Sequence, residues 1–159
     1  MKKISQINQK DSHILKYFLL EQKIDFNNFI ELGWNIETIQ NQFLKKNNFS
    51  LGFFDKNKLL GFLLGDIIKS YDSSILDIYV FFVVKNERRK NIGSSILQYI
   101  ETNKEIINIS EIYLEVEENN IEAIKFYEKN NFVFVNFRHN YYKYKNEKIN
   151  AKCFLKKFK

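Results

Sequence analysis

Apolar positions recur along this chain in two rhythms, one of helices and one of strands. Ile14, Leu15, Phe18 and Leu19 share one face of a helix that Asp11 or Ser12 can cap. Ile36, Ile39, Phe43 and Leu44 repeat the spacing from about Asn35, and Ile92, Ile96, Leu97 and Ile100 carry it towards Ile107. Asn119-Asn120 can cap a further helix from Ile121 to Asn130. The strand candidates are Lys3–Ile7, Phe49–Phe54, Leu59–Ile68, Ile75–Val84, Ile112–Val116, Phe132–Phe137 and Ala151–Phe158. Asp55-Lys56-Asn57-Lys58 reads as a hairpin turn and Ser70–Ser74 as a second, while Phe26–Trp34 is aromatic but irregular. The order β-α-α-β-β-β-α-β-α-β-β predicts an α/β (mixed α+β) chain, with a mixed sheet and helices on both faces.

Length and composition narrow that picture. The 159 residues suit one domain spanning 1–159, and an apolar share of 45% excludes a disordered chain. The longest apolar run, Ile78–Val84, is too short to span a bilayer, and the start Met1-Lys2-Lys3-Ile4-Ser5-Gln6 lacks a secretory apolar stretch. A cytoplasmic protein without a membrane partner is expected. The single cysteine, Cys153, lies in a strand candidate and reads as a core filler. His13 and His139 lack a second ligand at metal spacing, so no metal is expected. The formal charge is +6, and residues 138–159 carry eight Lys/Arg against the one acid Glu147. That basic end reads as a solvated edge; without interleaved aromatic stacking motifs, nucleic acid is not expected as a partner. Proline is absent and Gly scarce, so Asn is expected where a left-handed residue is needed.

One short segment carries candidate chemistry. Arg88-Arg89-Lys90-Asn91-Ile92-Gly93-Ser94 joins a strand to a helix start. The first amides of a helix have no intrahelical partner, and the helix dipole favours negative charge there. Gly93 would let the backbone approach a pyrophosphate. The segment reads either as a phosphate-binding turn or as a solvated basic loop.

The residues in order then resemble the GNAT superfamily of N-acetyltransferases. Arg88-Arg89-Lys90-Asn91-Ile92-Gly93 is similar to its acetyl-CoA motif Gln/Arg-x-x-Gly-x-Gly/Ala, with Asn91 at the first glycine. The stretch from Leu114-Glu115-Val116 through Asn120, Ala123, Phe126-Tyr127 to Asn131-Phe132 resembles Leu-Glu-Val-x-x-x-Asn-x-x-Ala-x-x-Leu-Tyr-x-x-x-Gly-Phe, with Asn131 at the helix-ending glycine. Within the superfamily the RimI type, which acetylates the N-terminal alanine of a ribosomal protein, is similar at three places: Leu114-Glu115-Val116, Arg138-His139-Asn140-Tyr141-Tyr142 and Trp34-Asn35-Ile36-Glu37-Thr38-Ile39. Lys143 stands where that type has Pro, and Asn150 where it has an acid.

The resemblance implies a twisted, mostly antiparallel sheet of about seven strands whose fourth and fifth strands splay apart. Acetyl-CoA is the implied co-substrate, and direct acetyl transfer to an amine the implied reaction. Phe81, Phe82 and Val83 would offer main-chain groups to the pantetheine arm, one amide near Val83 polarising the thioester carbonyl. Arg88, Arg89, Lys90, Asn91, Ile92, Gly93 and Ser94 would hold the phosphates. Asn120 would bond the pantetheine or cap its helix. Glu115 is the implied general base, its pKa raised by burial, and its plain alternative is a solvated or paired carboxylate. Tyr127 is the implied acid for the thiolate, against a core aromatic. Trp34, Tyr141 and Tyr142 would wall the acceptor, or else pack a core or a dimer. The acceptor is expected to be a protein N-terminus, possibly ribosomal. The alternatives are a small amine (polyamine, aminoglycoside or amino acid) and a non-catalytic CoA-binding role. Either a monomer or a homodimer suits this reading.

Overall fold

The computed structural model describes residues 1–71, 74–144 and 147–158. Its strands are β1 (Lys2–Gln6), β2 (Asn48–Asp55), β3 (Lys58–Lys69), β4 (Ser74–Val83), β5 (Glu111–Glu117), β6 (Val133–Tyr144) and β7 (Glu147–Lys157). They form one seven-stranded sheet in the order β1-β2-β3-β4-β5-β7-β6. Neighbours run antiparallel except β4 and β5, which are parallel. The helices are α1 (Ser12–Glu21), α2 (Asn27–Glu31), α3 (Ile36–Phe43), α4 (Ile92–Thr102), α5 (Lys104–Ile107) and α6 (Ile121–Lys129).

Both faces of the sheet are covered, as the order of elements predicts. Leu15 and Phe18 from α1 and Ile39 and Phe43 from α3 pack on Phe62, Leu64, Val80 and Phe82 of one face. Ile92, Ile96, Leu97 and Ile100 from α4 and Ile124 and Tyr127 from α6 pack on Leu63, Leu76, Ile78 and Leu114 of the other. Burying each of the Val, Leu, Ile and Phe side chains among them contributes roughly 1.5–3 kcal/mol against exposure, so the two clusters fix the sheet between its helix layers.

The fold departs from the sequence expectation in four places. Asp11 stands at the N-cap of α1, but its side chain makes no capping bond there; Asn8 instead caps the short 3-10 turn Gln9–Asp11 that leads into α1, accepting from the Lys10 amide while Asp11 accepts from the Asn8 amide. Phe26–Trp34 contains the short α2. The helix expected from Ile92 to Ile107 divides at Asn103, whose side chain donates to the Tyr99 carbonyl and so competes with the helical ladder. β6 runs on to Tyr144, so Arg138–Tyr142 lie within that strand rather than after it. The Ser70–Ser74 turn falls partly outside the described residues, at Asp72 and Ser73.

Two irregularities shape the centre. β4 and β5 pair only from Ile75↔Glu111 to Ile78↔Leu114, although both strands continue. At that point the β3–β4 register slips between Leu64↔Val80 and Gly65↔Ile78, leaving Tyr79 as an extra residue in β4. A bulge bends and twists its strand and re-aims the side chains beyond it. Tyr79 and Val80 accordingly both pack on the α1–α3 face, and Phe81 and Val83 return to the α4–α6 face. Gly65 permits the bulge: a Cβ there would lie 2.3 Å from the Asp77 carbonyl oxygen.

Candidate active site

Where β4 and β5 part, a cleft of about 360 Å³ opens through the sheet. On the α4–α6 side it is lined by Phe81, Asn120, Ala123 and Tyr127, and on the other by Trp34, Tyr79, Glu115, Tyr141 and Tyr142. Seven of the candidate site residues from sequence therefore meet here: Trp34, Phe81, Glu115, Asn120, Tyr127, Tyr141 and Tyr142.

The turn before α4 is built from main chain. Arg89 (φ 62°) and Asn91 (φ 63°) are both left-handed, a curl of the kind that gathers amides around an anion. Asn91 thus occupies a position that favours glycine, the expected exchange; so does Asn131 (φ 65°), where the Phe132 and Asn131 amides close the end of α6 on Tyr127 and Glu128 carbonyls. Among the described residues, the N–H groups of Arg89 to Ser94 have no protein acceptor, and the first amide of this segment to find one is Ser95, bonded to Asn91 at 2.8 Å. Six consecutive unpaired amides at a helix start are a ready anion site. Gly93 has a packing role here, since a Cβ would come 2.9 Å from the Phe126 ring. The basic side chains turn to neighbours: Arg88 Nε donates to the Val83 carbonyl at 3.0 Å, Arg89 meets Glu122 at 2.9 Å and Lys90 meets Glu87 at 3.1 Å. Such exposed pairs are worth about 1 kcal/mol or less and yield readily to a multiply charged anion.

Along β4, the Val84 amide bonds Leu60 in β3, so strand alternation turns the main-chain groups of Val83 and Phe81 towards the opening. Phe82 faces the other way: it pairs with Phe62, and its ring is buried among Phe18, Phe26 and Phe62. Asn120 caps α6 by accepting from the Ala123 amide at 3.1 Å. Tyr127 is buried among Phe81, Phe126, Phe132 and Phe154, yet its hydroxyl has no partner among the described residues. Burial alone pushes its phenol above the ordinary range, so it stays protonated at neutral pH.

The opposite end of the cleft is made of side chains. Glu115 is paired: Arg138 Nη1 makes a short ion pair with Oε1, and Tyr113 Oη donates to the same oxygen at 3.3 Å. Arg138 in turn stacks over Tyr141 at 4.1 Å. A second irregularity delivers these groups. Between Arg138↔Ala151 and Tyr142↔Ile149, β6 carries two more residues than β7; Asn140 is left-handed (φ 55°) and its amide is held by Asn150 Oδ1 at 2.9 Å. Trp34 follows α2, its amide bonded to the Phe29 carbonyl, and stacks on Tyr79 at 5.9 Å. Burial first, then Glu115, raises the Tyr141 phenol to about 12 through desolvation, a hydrogen bond and charge.

Sequence reasoning passed over Asp77, Asp66, Tyr79 and Tyr113. Asp77 is a lone acid in the apolar run Ile75–Val84, a signal that was present but not used. Burial, then the charges of Glu115 and Asp66, push its carboxyl up to about 6, with Arg138 opposing. Cys153 is fully buried in β7, directly across from Glu115. Among the described residues no group of three or more His, Cys, Asp or Glu could hold a metal, and no helix is long and apolar enough to cross a membrane.

Comparison with known proteins agrees with this geometry. The model of the acetyltransferase (GNAT) family matches residues 15–132. No curated protein matches the sequence. Among solved structures, Arabidopsis thaliana NAA60 in complex with acetyl-CoA superposes with a TM-score of 0.79 at 18% identity, covering 99% of this chain and 98% of that one. The ribosomal-protein-S18-alanine N-acetyltransferase from Escherichia coli gives 0.74 at 19% identity over 98% and 92%. Ard1 from Thermoplasma volcanium gives 0.74 at 21% over 98% and 97%. At these identities the neighbours show the fold.

Proposed function

The chain belongs to the GNAT acetyltransferase family and is an acyltransferase that uses acetyl-CoA, and on that premise we propose that it acetylates the N-terminal α-amine of a protein, possibly a ribosomal one, in the cytoplasm as one domain over residues 1–159. The observation that carries the reading is the pairing of six unpartnered amides at residues 89–94 with an opening between β4 and β5. The amides of Arg89 to Ser94 take the diphosphate, with Arg88, Arg89 and Lys90 free to re-pair with phosphate oxygens. The main-chain groups of Phe81 and Val83 lie along the pantetheine arm, and the Val83 amide polarises the thioester carbonyl. Acetyl-CoA supplies the activated acyl group.

An α-ammonium, with a pKa near 8, must lose a proton before it attacks. Glu115 at the acceptor end takes that proton, directly or through a water, and the protonated Tyr127 phenol donates to the departing sulfur. Cys153 is fully buried, which supports direct transfer rather than an acyl-enzyme. Trp34, Tyr141 and Tyr142 wall the acceptor, and Glu117, which also lines the cleft, adds negative charge for a basic peptide. The same aromatic and acidic lining favours a second reading, a small polyamine acceptor. Calorimetry with acetyl-CoA, followed by a panel of N-terminal peptides against small amines, tests both. Peptides beginning Ala-Arg should turn over fastest; binding without turnover of any amine would leave a non-catalytic CoA-binding protein.

A further inference from the structure

Three carboxylates stand in a row across β3, β4 and β5, and they differ in what they touch. Asp66 is buried and held by Gln42, by Tyr79 Oη at 3.1 Å and by Lys45 Nζ at 3.4 Å. Glu115 is held by Arg138 and Tyr113. Asp77 lies between them, directly across from Asp66 in the β3–β4 register and diagonal to Glu115, since its own β5 partner is Tyr113. Among the described residues the Asp77 carboxylate has no hydrogen bond and no ion pair. Asp77 is one residue short of the last β4–β5 pair, next to Ile78 and Tyr79, which line the cleft. Like charges facing across strands repel, and the charge of Arg138 offsets that repulsion only in part.

Protonating Glu115 would break its ion pair with Arg138, whereas protonating Asp77 would relieve repulsion from two neighbours. Resting on the acetyltransferase reading above, we infer that Asp77 is the final acceptor of the proton leaving the substrate ammonium, with Glu115 passing it across through a water. One N–H bond breaks and one O–H bond forms on Asp77. The freed nitrogen pair attacks the thioester carbonyl, the C–S bond breaks, and the sulfur takes the Tyr127 proton. As the nitrogen becomes an amide its second N–H bond breaks and that proton passes through water to the Tyr127 phenolate, while Asp77 releases its proton to water, so one proton leaves per turn and charge balances.

The groups facing Asp77 are Asp66 across from it on β3, Tyr79 on its own strand, Tyr113 and Glu115 from β5, and Arg138 and Tyr141 from β6, while Lys45 stands behind them on Asp66. Their balance, with burial leading, puts the Asp77 carboxyl at about 6. A base with that pKa is better matched to neutral pH than an ordinary carboxylate. Because the folded value is raised, Asp77 contributes stability below its unfolded pKa, and that contribution is lost as pH rises through about 6. Asp77→Asn should therefore melt higher than wild type at pH 8 but not at pH 4, so a rate loss in it is not unfolding.

The test is carboxyl-carbon NMR titration of the full chain labelled at Asp, together with kcat/KM against pH for wild type, Asp77→Asn and Glu115→Gln. Expected are a signal near pH 6 that is missing in Asp77→Asn and moves down in Glu115→Gln, an acid limb of kcat/KM near pH 6 in wild type, and about a 100-fold loss in Asp77→Asn at pH 7.5. Asp77 titrating in the ordinary carboxylate range, or an Asp77→Asn variant with the wild-type rate and limb, overturns the inference alone. A wild-type protein that acetylates no amine overturns it together with the function it rests on.

Discussion

The two ends of the cleft differ in what they offer: at the α4 end, six unpaired amides of residues 89–94; at the β6 end, the Glu115 carboxylate paired to Arg138 and the rings of Trp34, Tyr141 and Tyr142, with Asp77 beside them. An amide is the same group whatever side chain it carries, so the first end survives substitution as long as the backbone keeps its curl. Asn91 illustrates this, standing left-handed where the family motif has glycine. The second end has no such tolerance, because each of its groups is a particular side chain. On the reading proposed above, the α4 (donor) end can thus stay constant while the β6 (acceptor) end changes its substrate.

The sharpest way to separate the ends is to remove one functional atom from each side chain at the reacting centre. Tyr127→Phe and Glu115→Gln should each lower kcat by about 100-fold, the range of a lost proton-transfer group. Their acetyl-CoA dissociation constants should stay within about twofold by calorimetry, because neither touches the 89–94 amides; a loss of affinity equal to the loss of rate would merge the two ends.

Crowding the donor end should have the next largest effect. Gly93→Val drives a side chain into the Phe126 ring and should cost about 1–3 kcal/mol of stability. Acetyl-CoA binding should weaken with it, and Phe126→Leu in the same chain should restore both. Rescue of neither would place Gly93's role elsewhere.

Asn91→Ala should be milder, about 1–2 kcal/mol for forcing a left-handed Ala, read as weaker acetyl-CoA binding with the acceptor KM unchanged. Asn91→Gly should bind as well as wild type or better. The smallest effect belongs to Cys153→Ala, which should leave kcat within about twofold while lowering stability by about 1 kcal/mol for the lost buried atom. A large loss of turnover there would revive a covalent route.

The same contrast explains what could be read from sequence. The donor end is a contiguous run at a strand–helix junction, so Arg88 to Ser94 and the pattern from Leu114 to Phe132 disclosed it directly. Asn in place of Gly at 91 and 131 was legible too, because the left-handed requirement is local. The acceptor end is assembled from strands far apart in the chain and depends on an extra residue at Tyr79 and two more between Arg138 and Tyr142. A one-residue slip moves side chains to the other face, and no local pattern marks where it falls. Glu115 was found, but its Arg138 partner, the unpaired Asp77 and the outward turn of Phe82 from the cleft needed the registers.

The central claim is that the diphosphate of acetyl-CoA rests on main-chain amides while its thioester reaches the opening between β4 and β5. A crystal structure of the protein soaked with coenzyme A tests it most directly. The account predicts diphosphate oxygens within hydrogen-bond distance, about 2.7–3.2 Å, of several N–H groups among residues 89–94, with the thiol beside Tyr127. Coenzyme A bound at another surface, or diphosphate held only by lysine and arginine side chains, would contradict it.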